Sequence, residues 1–234
     1  MIPKVIHYCW FGRNPLPPLA EKCIASWRKF LPEYEIKEWN EDNFDVNIIP
    51  YTAEAYAAKK YAFVSDYARF WILYHYGGVY FDTDVEVIKP MDDILAAGAF
   101  MGCEQDFPIM VNPGLGIAAS AQMPLYKKLL DYYTPLHFDV GNIAMTIVNH
   151  TTCVLKSMGL VEGEGIQRVA DCNIYPAEYF NPTHIVTKRL HITTNTRSIH
   201  RYADSWNGHP ESLLKKTIRK CIPEFILLLW NKRK

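Results

Sequence analysis

Residues 65–87, SDYARFWILYHYGGVYFDTDVEV, constrain the fold more than any other stretch. An apolar helical run ends at Gly77 and Gly78, where a left-handed cap is the simplest use of glycine, and a strand-like run carrying Asp82 and Asp84 follows. The same alternation recurs on either side. Residues 4–10, KVIHYCW, predict a first buried strand, PLAEKCIASWRKFLP a helix closed by Pro32, and EYEIKEWN a second strand. One helical stretch is expected from about Thr52 to Tyr76. Beyond the aspartates, AFMGCEQ and GLGIAAS predict short strands, and LYKKLLDYY and NIAMTIVNHTTCVLKSMG predict helices. Strand and helix alternating through the first 160 residues favour an α/β fold with a mainly parallel central sheet.

At 234 residues and 49% apolar the chain has ample material for a core. With 25 basic and 25 acidic residues there is no electrostatic case for a nucleic-acid partner. Charge is segregated, however. From Glu211 to the end seven Lys/Arg face two Glu, a net of +5 on an otherwise acidic chain. That divides the chain into a domain at 1–210 and a basic, apolar helical tail at 211–234. The six cysteines form no C-x-x-C pair and are expected as reduced thiols. MIPKVIHYCWFG has neither an h-region nor a cleavage site, and FILLLW is too short to span a bilayer, so a cytoplasmic location is expected.

The two aspartates carry the chemistry. In an extended strand Tyr80, Asp82, Asp84 and Glu86 share one face, which puts the aspartate alpha carbons roughly 6.5–7 Å apart. Buried carboxylates are costly unless paired or bound to a cation. Two oxygen donors at a strand end suit Mg²⁺ or Mn²⁺ with positions left for phosphate oxygens. A solvent-facing acidic strand is the alternative for a bare D-x-D. Upstream, Asp66 and Arg69 stand on one helix face, Arg suited to phosphate or hydroxyl contacts and Asp to sugar hydroxyls. The alternative there is an exposed intrahelical ion pair.

The segments IPKVIHYCWFG, SDYARFWILYHYGGVYFDTDV, VNPGLGIAAS and HRYADSW together resemble glycosyltransferase family 32, the sugar-binding D-x-D group that includes initiating mannosyltransferases, bacterial capsule and lipopolysaccharide transferases and, distantly, clostridial toxin glucosyltransferase domains. The resemblance implies a GT-A fold, a nucleotide-sugar donor, a manganese or magnesium ion, and transfer with retention. It implies that Trp10 stacks on the nucleotide base, where a core aromatic is the alternative, and that Asp66 and Arg69 hold the donor sugar and phosphate side. Asp82 would contact ribose or sugar and reach the metal through water, and Asp84 would bind the metal directly. His200 resembles a later metal ligand, with Asp204 or Ser205 as alternatives, and Ser205 and Trp206 resemble a pair that closes over the diphosphate. Asn112 matches an asparagine near the sugar pocket. Gly141 and Asn142 stand where many relatives have Gly-Pro, which leaves that part of the pocket open.

The function implied is transfer of a hexose from a UDP- or GDP-sugar to a glycan or lipid-linked acceptor in surface-polysaccharide synthesis. Asp82, Asp84 and Asp66 are its candidate catalytic residues. No separate carboxylate nucleophile stands out, so the family's same-face attack is expected, with the leaving phosphate oxygen as base. The tail could lie on an anionic membrane surface, or dock as an ordinary helix. Rival functions are a protein-glycosylating effector, a haloacid-dehalogenase-like phosphatase, and an inactive sugar-nucleotide-binding protein. Glu86, two places after the second aspartate, does not fit the phosphatase pattern.

Overall fold

The computed structural model describes residues 1–141, 145–184 and 187–203. In chain order the elements are β1 Val5–Cys9, α1 Pro18–Phe30, β2 Glu35–Trp39, α2 Pro50–Ala57, α3 Tyr61–Tyr76, β3 Gly78–Tyr80, β4 Val85–Val87, α4 Asp92–Ala96, β5 Phe100–Gln105, β6 Met110–Val111, a 3-10 turn Pro113–Leu115, β7 Ile117–Ala119, α5 Pro124–Tyr133, α6 Ile147–Ser157, β8 Gln167–Val169, β9 Cys172–Tyr175, α7 Ala177–Phe180 and β10 Ser198–His200. The main sheet runs β2-β1-β3-β7-β5-β9-β8, with β6 on β5. Pairs β1–β2, β1–β3 and β5–β9 are parallel, and β7 lies antiparallel between β3 and β5. The α/β architecture follows expectation.

Side-chain alternation splits the sheet between two cores. Cys9, Tyr80, Met101 and Ile117 pack with α2, α3, α5 and α6, whereas Ile6, Tyr8, Val79, Phe81 and Phe100 pack with α1, α4 and α7. Helix α1 starts on Pro18 at its first position and buries Ala20, Cys23, Ile24 and Trp27, an i, i+3, i+4, i+7 stripe. Its Trp27 indole donates to the Val85 carbonyl at 2.7 Å. Helix α3 is buried continuously from Phe63 to Phe70. A helix apolar around most of its circumference belongs inside, and here it carries Asp66 and Arg69 inside with it. The five described cysteines, Cys9, Cys23, Cys103, Cys153 and Cys172, are free.

Two expectations are corrected. The stretch from Thr52 to Tyr76 is two helices, because Lys59 takes a left-handed φ of 57° and turns the chain between α2 and α3. The strand expected through Asp82 and Asp84 is also two: β3 stops at Tyr80, residues 81–84 turn with Val85 N–H donating to the Asp82 carbonyl at 3.0 Å, and β4 pairs instead with β10. The aspartates therefore sit in a turn, not within a strand. Gly77 and Gly78 end α3 with φ of 65° and 101°, and a Cβ on Gly78 would lie 2.7 Å from the Val5 carbonyl oxygen. Both torsion and space demand glycine there.

Candidate active site

Strands β1, β3 and β5 run in the same direction, so their carboxyl ends share one edge, where open α/β sheets bind ligands. A cavity of about 770 Å³ opens along it. Trp10 follows β1, Asp82 and Asp84 follow β3, Asn112 precedes β7, and α3 brings Asp66 and Arg69 from above. His200, at the end of β10, completes the ring.

Arg69 is fixed at every nitrogen. Nε donates to the Ser65 carbonyl at 3.0 Å, Nη2 to Asp66 Oδ1 at 3.0 Å and Nη1 to Asp82 Oδ2 at 3.1 Å. Its guanidinium carbon lies 5.0 Å from the Tyr80 ring centroid, and the Tyr80 hydroxyl donates to Asp82 Oδ1 at 3.0 Å. The Arg69 and Asp66 side chains are only 3% and 9% exposed, which rules out a surface ion pair. Burial pushes the Asp66 carboxyl up to about 7, against the pull of Arg69 and with the help of Asp82. Arg69 stays charged: burial opposes that, but Asp82, Tyr80 and Asp66 raise it well above its ordinary value.

Asp84 has different partners. Its Oδ1 lies 3.1 Å from His200 Nε2 and its Oδ2 accepts from the Ala203 N–H at 2.8 Å. The antiparallel register of His200 with Val85 brings the two side chains together. Burial disfavours both charges, yet mutual attraction prevails, lowering the Asp84 carboxyl and raising the His200 imidazole. His200 Nδ1 is buried and has no hydrogen-bond partner among the described residues.

Carboxylate oxygen and imidazole nitrogen suit a divalent ion such as Mn²⁺, and Mg²⁺-type sites need few protein ligands when phosphates supply the rest. Asp84 and His200 would hold such an ion, with Asp82 beside them. Among the described residues no three His, Cys, Asp or Glu side chains form a complete metal-binding group. Asp204, Ser205 and Trp206, with Asn142 and the tail at 211–234, lie outside the described residues. Gly141 is described and exposed.

Trp10 lines the cavity half-buried, its indole nitrogen donating to the Asn14 carbonyl at 2.6 Å. Asn112 holds its loop by accepting from the Gly114 N–H at 2.7 Å. Three residues at the site escape the sequence patterns: Tyr80, Gly114 and Glu104. Gly114 sits in the quoted VNPGLG segment, but only the structure shows that a Cβ there would lie 2.1 Å from Asp82 Oδ2. Lys59, Tyr61, Thr146 and Ile147 also line the cavity.

Residues 17–101 match the family model described as "Glycosyltransferase sugar-binding region containing DXD motif". An uncharacterized glycosyltransferase of Acanthamoeba polyphaga mimivirus is 26% identical over 217 residues, 89% of this chain and 85% of that one. Inositol phosphoceramide mannosyltransferase 1 of Schizosaccharomyces pombe is 32% identical over 111 residues, covering 43% of this chain. The chain spans about a third of that relative's length, 33%. Among solved structures, the PaToxG glycosyltransferase superposes with a TM-score of 0.52 at 19% identity, over 67% of this chain and 69% of that one. The GT-A fold expected from the resemblance is borne out by this likeness.

Proposed function

We propose that the chain is a glycosyltransferase of the kind whose sugar-binding region contains a DXD motif, and that it transfers a hexose, with retention, from a UDP- or GDP-sugar to a glycan or lipid-linked acceptor. The observation that carries this is one cavity in which the buried Arg69, braced by Asp66 and Asp82, stands beside the Asp84–His200 pair. Trp10 at the rim offers a stacking face for a nucleotide base. Asp66, Arg69, Asp82 and Asn112 would contact the sugar side of the donor, and Asp84 with His200 the diphosphate side.

In the transfer the acceptor hydroxyl oxygen bonds to the anomeric carbon as the bond from that carbon to the diphosphate breaks. The bonding pair leaves with the phosphate oxygen, which takes the hydroxyl proton from the same face. Negative charge grows on the diphosphate; Asp84 and His200 would hold a divalent ion there, which would supply compensating charge. Positive charge grows on the sugar ring. The Asp82 carboxylate would face it, and Arg69, which also holds Asp66, fixes its orientation so that little reorganisation is needed. A covalent glycosyl-enzyme trapped on an Asp or Glu would overturn same-face attack.

The fission-yeast relative's name specifies mannose and a phosphoceramide acceptor, which supports testing GDP-mannose first and a lipid-bearing acceptor. The basic, apolar segment at 211–234 supports a peripheral contact with an anionic membrane, as a capsule- or lipopolysaccharide-type acceptor requires. No helix among the described residues is long and apolar enough to cross a membrane. A panel of UDP- and GDP-sugars scored for Mn²⁺-dependent donor hydrolysis tests the proposal without knowledge of the acceptor. Hydrolysis of one donor class is expected, and none with any donor would sink it.

A further inference from the structure

Glu104 lines the cavity beside Asp82, Asp84, Asn112 and His200, and its backbone is irregular at that point. In the antiparallel pairing of β5 with β6, Cys103 opposes Val111 and Gln105 opposes Met110, so Glu104 is the extra residue of a β-bulge. Bulges re-aim a side chain and recur next to active sites. Two asparagines hold this one: Asn181 Nδ2 donates to the Glu104 carbonyl at 3.0 Å, and Asn112 Nδ2 donates to Glu104 Oε2 at 2.7 Å. Its other carboxylate oxygen, Oε1, is in no hydrogen bond or close ion pair among the described residues, although the charge of Glu104 helps raise the His200 imidazole. A fixed, partly buried carboxylate with a spare oxygen facing a cavity is suited to take donors from a bound ligand. Its charge repels a diphosphate, whereas neutral hydroxyls supply the donors it lacks.

We propose that Glu104 is a specificity-determining residue that accepts hydrogen bonds from hydroxyls of the transferred hexose, an assignment that rests on the nucleotide-sugar function above. Asn112 then acts with it as a positioning residue, orienting the carboxylate through Oε2.

The test is calorimetric titration of the full chain in MnCl₂ with UDP-glucose, UDP-galactose, UDP-N-acetylglucosamine, GDP-mannose, UDP and GDP, for wild type, Glu104→Ala and Glu104→Gln. For the nucleotide sugar that wild type binds, Glu104→Ala is expected to weaken affinity at least about tenfold, and to leave the matching nucleoside diphosphate within about twofold. Glu104→Gln keeps one oxygen for Asn112 and offers its amide N–H to a hydroxyl oxygen, so it should fold normally and lose less. Equal losses for sugar nucleotide and nucleoside diphosphate, or no loss for either, would overturn the assignment of Glu104 alone. Failure of wild type to bind any of the six probes would instead overturn the function on which it rests.

Discussion

His200 Nε2 lies 3.1 Å from Asp84 Oδ1, so the last described strand closes onto the acidic turn that follows β3. The turn is thereby fixed from both sides, Asp82 to Arg69 on α3 and Asp84 to His200 on β10. Asp82 meets a guanidinium and Asp84 an imidazole, and the separate roles proposed for them rest on that difference.

Asp84→Asn should cut metal-dependent donor hydrolysis by at least about a hundredfold, because the proposed function puts the lost charge where the leaving diphosphate would be stabilised. The chain should stay folded, at a cost of about 1–3 kcal/mol for the weakened contact to His200. Circular dichroism melts and hydrolysis at controlled Mn²⁺ check both statements. Full turnover would remove Asp84 from the mechanism.

Gly114→Ala should damage the site through packing rather than charge. The new methyl would lie 2.1 Å from Asp82 Oδ2 and 3.2 Å from Arg69 Nη1, both held by hydrogen bonds. Displacing them should destabilise the protein by about 1–3 kcal/mol and reduce hydrolysis. Unchanged melting and activity would show that Asp82 moves freely.

Asp66→Asn should alter the pH dependence of stability. The Asp66 carboxyl titrates at about 7 when folded against 3.8 in the reference state, so between those values the folded chain holds a proton that the unfolded chain has lost. This group's contribution to stability therefore falls as pH rises through that window. Asparagine does not titrate. The melting temperature of the variant minus that of wild type should be more positive at about pH 8 than at about pH 4. A difference independent of pH would mean that Asp66 ionises normally.

His7 should show the opposite sign. Its Nδ1 accepts from the Trp39 indole at 3.0 Å, so Nε2 carries the proton donated to the Gly77 carbonyl at 3.0 Å. Burial lowers its value to about 4 from 6.5, so the unfolded chain takes up a proton first and wild-type stability rises with pH across that interval. His7→Leu leaves two buried polar groups unpaired and should cost at least about 2 kcal/mol. The melting difference between wild type and variant should widen from about pH 4 to about pH 6.5. A narrowing difference would refute the neutral tautomer.

The segment 211–234 predicts membrane attachment. The full chain should float with phosphatidylserine-containing liposomes, and a chain ending at residue 211 should float far less, with added salt weakening the full chain's binding. Equal flotation of both chains excludes the tail.

Asp66, Arg69, Asp82 and Asp84 were legible in the sequence because a helix, two glycines and a D-x-D within one short run combine local periodicity with polar residues in apolar surroundings. The strand break at Tyr80 was not. Its run of β-formers reads as continuous, and only the competition between β7 pairing with β3 and β10 pairing with β4 splits it. Glu104 was hidden for a related reason, since a bulge exists only relative to a partner strand. By itself the chain determined which segments alternate, where helices stop at proline and glycine, and which acids stand near one another, all consequences of local torsion and spacing. Tertiary structure decided that α3 is buried, that Arg69 reaches Asp82, and that His200 meets Asp84, because those contacts depend on register and burial between residues far apart in the chain.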